Sequence, residues 1–247
     1  MLTKKHIDDF HRDGFVIVRS LYQGDELREI IAWTDEVAAF SEVPGQYMMY
    51  FEKSRLDPSL RILSRMEDIE PYHRGFSRLF TAGKMQGCVS ELFGEEAVLF
   101  KDKINFKMPG GDGFKAHQDV QAGWDRYASL HITALVSIDA STLENGCLEL
   151  APGQHNKGLI GESWKPLAED ALEYIPVPTA PGDAVFFDSY VPHRSEPNQT
   201  AAARRVLYVT YNRRSEGDRR RQYYDDKRKS YPPDCERTPG KEYVFRV

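Results

Sequence analysis

The stretch Lys107-Met108-Pro109-Gly110-Gly111-Asp112-Gly113-Phe114-Lys115-Ala116-His117-Gln118-Asp119 runs from a glycine-rich turn into a histidine and a carboxylate one residue apart. Alternate residues of a strand point to the same side, so a strand here turns His117 and Asp119 toward one point and Gln118 away. A second histidine lies far downstream, in Asp188-Ser189-Tyr190-Val191-Pro192-His193-Arg194-Ser195. Two imidazoles and a carboxylate can occupy one face of an octahedral iron(II) ion and leave the opposite positions open. A His-x-Asp pair alone is unspecific. The glycines do not form a phosphate loop, because the Lys-Ser/Thr of such a loop is missing.

The surroundings sharpen the pattern. Phe10-His11-Arg12-Asp13-Gly14-Phe15-Val16-Ile17-Val18 stands near the N-terminus, and the run Asn145 to His155 separates the two halves of the triad. Pro181-Gly182-Asp183 opens an apolar run, Ala184 to Phe187, that leads to His193, and Arg204 follows. In this order, the motifs resemble the phytanoyl-CoA dioxygenase family of iron(II)- and 2-oxoglutarate-dependent oxygenases over most of the chain. Within that family, Lys107 to Asp119, Gln121-Ala122-Gly123-Trp124 and the ending Tyr243-Val244-Phe245-Arg246-Val247 are similar to bacterial 2-aminoethylphosphonate dioxygenases.

The resemblance implies a mainly β fold with flanking helices, a double-stranded β-helix of the jelly-roll or cupin type. It implies His117, Asp119 and His193 as ligands of Fe(II), with 2-oxoglutarate and O2 as co-substrates. Arg204 would grip the far carboxylate of 2-oxoglutarate, a role suited to a planar, always-charged guanidinium; Arg205 is the neighbouring alternative. Ser195 would add a hydrogen bond, and Asn105 and Thr133 are further contacts carried over by position. Halogenating relatives carry a small apolar residue in place of Asp119, so a carboxylate there argues for hydroxylation, or a related oxidation, over halogenation.

An aminoalkylphosphonate needs cations around its phosphonate and a carboxylate or aromatic face near its ammonium. Lys107, Lys115, Arg65 and Arg126 are candidates for the first role. Glu67, Asp112, Tyr47 and Trp124 are candidates for the second. Two rival readings stand beside this one: a secondary-metabolite, amino-acid or betaine hydroxylase of the same family, and a non-catalytic cupin-like metal-binding sensor.

A chain of 247 residues suits one undivided domain over 1–247, with a metal-binding core at about 98–212, a helical N-terminal part and a C-terminal extension. The formal net charge of −5 argues against a nucleic-acid or anionic-membrane surface, and the resemblance implies a small-molecule partner. There is no signal-like apolar segment and no apolar run long enough to span a bilayer, which points to a cytoplasmic protein. Cys88, Cys147 and Cys235 are widely spaced and read as reduced thiols. Oligomeric state is left open.

Periodicity predicts a helix over 3–9 capped by Thr3, a strand over 15–18, and an amphipathic helix over 24–40. The region 44–72 is less regular, and one helix is expected over 75–93, closing at Gly94. A strand over 98–108 places Lys101, Lys103, Asn105 and Lys107 on one face and Phe100, Ile104 and Phe106 on the other. That polar face is either part of the site or a solvated surface. Further strands are expected at 130–138, 147–150, 184–187 and 206–211. His11, His73, His131, His155 and Asp188 are set aside as ligands, and Asp139 and Glu144 are read as turn residues. The basic run Arg219 to Lys229 reads as a solvated helix face, and the tail after Ser230 as an ordered extension or a lid.

Overall fold

The computed structural model describes residues 1–168 and 172–243, so Val244–Val247 of the family-like ending lie outside the described residues. Its strands are β1 (Phe15–Val18), β2 (Met48–Lys53), β3 (Arg61–Glu67), β4 (Ala97–Lys107), β5 (Phe114–His117), β6 (His131–Ser137), β7 (Leu148–Leu150), β8 (Ile175–Val177), β9 (Ala184–Asp188), β10 (His193–Ser195) and β11 (Arg204–Arg213). Its helices are α1 (Lys4–Asp13), α2 (Gly24–Ala38), α3 (Arg74–Thr81), α4 (Lys84–Phe93) and α5 (Arg220–Ser230). A seven-stranded sheet runs β1-β9-β6-β11-β4-β3-β2, and a four-stranded sheet runs β5-β10-β7-β8. Every pairing is antiparallel. This is the jelly-roll expected above.

Period-two alternation sorts the side chains of the large sheet. On β6 and β11, Ile132, Ala134, Val136, Leu207, Val209 and Tyr211 pack outward against Ile30, Phe76, Phe80 and Val89 of the helices. Leu135, Val185, Phe187 and Val206 turn inward and meet Leu148, Leu150 and Val177 of the small sheet. The large sheet is therefore buried on both faces, by helices outside and by the second sheet inside. Thr3 caps α1, its hydroxyl accepting from His6 N and the His6 ring accepting from Thr3 N. His73 caps α3 through the Phe76 amide.

Several expectations needed correction. The helix expected over 75–93 is two helices, because Ala82 is extended and Gly83 sits at φ 91, a conformation glycine takes at little cost. The irregular region 44–72 contains the hairpin β2–β3, which extends the large sheet onto β4. Met48, Met49 and Tyr50 are all buried, so the polar–apolar alternation that marks a half-exposed strand is absent there. Phe100 does not share a face with Ile104 and Phe106. The β4–β11 register shifts between Thr210 and Tyr211, a bulge that turns Phe100 toward Trp124, Tyr127 and Tyr223.

The basic run is not merely a solvated face. Arg220 of α5 pairs with Asp68 and Asp102, and Lys227 with Glu67, a fully buried carboxylate. The segment after Ser230 is tied to β2 and its flanks: Tyr50 donates to the Tyr231 carbonyl, the Gly45 amide donates to Glu236, and Arg61 pairs with Asp234.

Gly182, just before β9, has φ +83, and a Cβ there would lie 2.0 Å from the Tyr22 carbonyl oxygen. Gly182→Ala should therefore destabilise the fold by about 1–3 kcal/mol, measured as a lower midpoint in thermal or denaturant unfolding. An unchanged midpoint would mean that this turn relaxes freely.

Candidate active site

The site lies between the sheets at the junction of β5 and β10. These strands pair with His193 directly opposite His117, and the imidazole centroids are 4.2 Å apart. Strand β5 stops at His117, two residues earlier than the alternation argument assumed. Gln118 is still extended (φ −105, ψ 137), and Asp119 opens a 3-10 turn over Asp119–Ala122. That one extended residue is enough to bring Asp119 to the same side as His117. The Gln118 side chain faces away, donating to the Gly158 and Tyr190 carbonyls and accepting from the Ile160 amide.

Ligand atoms of His117, Asp119 and His193 all lie within 4.8 Å of one another, and no other such group of three occurs among the described residues. Asp119 Oδ1 is 4.0 Å from His117 Nε2 and 3.9 Å from His193 Nε2. Each imidazole directs Nδ1 at the carbonyl two residues before it, Lys115 at 2.7 Å and Val191 at 3.0 Å. An Nδ1–H donated to those carbonyls leaves both Nε2 lone pairs facing the carboxylate, the tautomer a metal ligand needs. Burial, and next His193, holds the His117 imidazolium well below its ordinary range, to about 3. The Thr133 hydroxyl reaches Asp119 Oδ2 at 3.4 Å and Thr210 Oγ1 at 2.9 Å, so Thr133 orients the carboxylate from behind.

Arg204 begins β11 and shares an inner face with Val206, Tyr208 and Thr210 by alternation. It is 1% exposed, and its Nε and Nη2 have no hydrogen-bond partner among the described residues. A buried guanidinium with two unsatisfied N–H donors is costly unless an anion completes it, so the residue fits a carboxylate-bearing co-substrate. Arg205 points the other way, onto Asp139 and Asp35. Ser195 and Asn105 line the same cleft, and the Asn105 Oδ1 has no partner. Lys107 is buried beside them, donating to Ser195 Oγ at 2.8 Å and to the carbonyls of Gly146 and Glu196. Its pKa falls to about 7, chiefly through burial and then through Arg204.

The remaining sequence candidates divide. Trp124 lines the metal cleft, its ring 5.3 Å from the Lys101 ammonium. Arg65 and Lys115 line an adjoining cavity, and Arg126 lines another on the far side of Trp124. Tyr47 is not brought to the site: it packs on Phe40 and donates to the Ser41 carbonyl. His131 is buried against Phe100 and Trp124, outside the triad.

Lys101, Lys103 and Tyr208 also line the cleft and were not singled out as site residues. The available signal was the polar face of β4, since Lys101 and Lys103 alternate with Asn105. Lys103 makes no hydrogen bond or ion pair among the described residues; its ammonium lies 4.5 Å from the Tyr208 ring centroid. Burial, and then repulsion from Lys101, brings its pKa down to about 7.

The family model described as phytanoyl-CoA dioxygenase matches residues 10–206. A protein described as 2-aminoethylphosphonate dioxygenase, from an uncultured bacterium (HF130_AEPn_1), is 43% identical over 98% of this chain and 93% of its own length. A protein described as methylphosphonate hydroxylase, from Gimesia maris, is 40% identical over 93% of this chain and 88% of its own. Among solved structures, EctD from S. alaskensis with 2-oxoglutarate and 5-hydroxyectoine superposes with a TM-score of 0.74 at 19% identity, covering 87% of this chain and 77% of that one. Among the described residues, no helix is long and apolar enough to cross a membrane.

The geometry predicts that His117→Ala and Asp119→Ala each weaken cobalt(II) or iron(II) binding by more than about tenfold, whereas His131→Ala leaves it unchanged. Anaerobic metal titration decides the point. Loss of binding in the His131 variant alone would move the centre elsewhere.

Proposed function

The chain belongs to the phytanoyl-CoA dioxygenase family, and from that premise we propose that it hydroxylates a small alkylphosphonate at the carbon next to phosphorus. The sharpest form of the reading has 2-aminoethylphosphonate as substrate. As a 2-oxoglutarate-dependent dioxygenase the protein uses iron(II), 2-oxoglutarate and dioxygen. In this reading His117, Asp119 and His193 hold the iron, and Arg204 receives the far carboxylate of 2-oxoglutarate, with Ser195 and Asn105 beside it. Membership of an enzyme family sets the non-catalytic sensor reading aside.

Iron held by His117, Asp119 and His193, with 2-oxoglutarate, would supply the redox chemistry: oxidation of the co-substrate to succinate and CO2 with one oxygen atom of O2, coupled to insertion of the other into a C–H bond. The protein's own residues orient and select. The two Nδ1–carbonyl bonds lock the imidazoles, and Thr133 holds the second oxygen of Asp119. Trp124 and Phe114 wall the cleft.

The observation that carries the substrate class is the pair Lys101 and Lys103 on one face of β4, both lining the cleft that holds the triad. Lys101 has Glu67 at 3.6 Å, and Lys103 has no ion-pair partner among the described residues. An excess of positive charge with little competing water suits a compact anion better than a neutral or apolar substrate. Two relatives at 40% identity or above have names that specify phosphonates, which supports the same reading.

Lys103→Met should raise the KM for 2-aminoethylphosphonate by roughly tenfold or more, as expected for loss of a charge-assisted contact, with a smaller effect on kcat. Succinate release in the presence of substrate is the readout. A wild-type protein that binds 2-oxoglutarate but shows no phosphonate-stimulated succinate would discard the phosphonate and keep the oxygenase. The proton balance supplies a second check. In the free protein Lys103 loses its proton near pH 7, and a bound anion raises that pKa. Binding above pH 7 should therefore take up a fraction of a proton that Lys103→Met does not, measured by calorimetry in buffers of different ionisation enthalpy.

A further inference from the structure

A zwitterionic substrate needs a partner for its ammonium as well as for its phosphonate. Burial would push the fully buried Glu67 carboxyl up, but Lys101, Lys227 and Arg65 hold it well below its ordinary range. Arg65 lies at 3.0 Å and Lys101 at 3.6 Å, so Glu67 is already neutralised. Asp112 is exposed and paired with Arg55 at 2.7 Å, and Tyr47 is turned into the core. Among the sequence candidates no carboxylate is left for a bound cation.

A different one is available. Glu52, on β2, lines a cavity of ≈ 310 Å³ that shares Phe114 and His117 with the metal cleft. Among the described residues its carboxylate makes no ion pair and accepts one hydrogen bond, from the Asp112 amide at 3.3 Å. Burial raises its carboxyl above the ordinary range, despite Lys107 and Arg65 nearby. Tyr50 and Tyr231 stack at 5.5 Å on the wall of the same cavity. The cations on this wall are Arg65, which is engaged by Glu67 and lies 4.3 Å over the Tyr50 ring, and Lys115, which is exposed. Phe114 lines both spaces, and the Lys103 ammonium lies 5.7 Å from its ring centroid.

We propose that Glu52 receives the substrate's ammonium group and so sets a preference for an aminoalkylphosphonate over an unsubstituted one. This assignment rests on the phosphonate reading above. The phosphonate would lie on the Lys101–Lys103 side of Phe114 and the ammonium on the Glu52 side, leaving the carbon between them beside the triad. A substrate without an amine leaves Glu52 as it is and gains nothing from it.

The test is calorimetric titration of the anaerobic protein, loaded with iron(II) and 2-oxoglutarate, with 2-aminoethylphosphonate and with ethylphosphonate, which matches it except for the amine. Wild type should prefer the amine by about tenfold or more. Glu52→Gln should lose that preference by binding 2-aminoethylphosphonate more weakly, with ethylphosphonate affinity held within about twofold. Glu52→Asp, which keeps the charge, should retain part of the preference and provides a second variant should the first fold poorly. A preference undiminished in Glu52→Gln, or equal binding of both ligands by wild type, overturns the role of Glu52 while leaving the phosphonate reading standing. A wild type that binds neither ligand overturns both.

Discussion

The pairing of β5 with β10 is the constraint on which the site depends. It sets His117 opposite His193, and because side chains alternate along a strand, a slip of one residue would turn one imidazole out of the centre. Two features hold the register. His193 also pairs with Leu150 of β7, so β10 is gripped on both edges. Gly113 lets the chain entering β5 pass close to β10, where any Cβ would come within 2.4 Å of the Ser195 carbonyl oxygen.

Around this seam the interior carries an unusual amount of positive charge for a sandwich core. Lys101, Lys103 and Lys107 follow one another along β4, and Arg204 faces Lys107 across the β4–β11 ladder. Glu67 and Asp119 offset part of that charge. What they leave, together with the N–H groups of Arg204 that find no partner among the described residues, favours anions in the cleft. A co-substrate with two carboxylates and a compact anionic substrate both answer that requirement. The site is thus under-satisfied by itself, as expected where strain and orphaned polar groups are retained for binding.

The hairpin β2–β3 and helix α5 convert a generic sandwich into a particular site. Glu67 at the end of β3 ties Lys101 of the cleft wall to Lys227 of α5, and Asp102 on the opposite face of β4 is held by Arg220 and Tyr224. Charges that look like surface charges along the chain are internal because three elements, distant in sequence, close over them.

The sequence by itself pointed to the jelly-roll and the metal triad through ordered motifs that resemble a known family, and it left Arg205 open beside Arg204; the structure separated the two by turning Arg205 onto Asp139 and Asp35. The sequence also showed Lys101 and Lys103 on one face with Asn105, without showing whether that face met water or the site. Only the tertiary structure decided that the face points inward. It revealed the hairpin β2–β3, where the consecutive buried residues Met48, Met49 and Tyr50 erase the alternation that would announce β2, and it showed Phe100 turned by a bulge. It also decided which carboxylates are spent: Glu67, Asp112 and Glu52 are alike along the chain, and what distinguishes them is which cations the fold brings within reach.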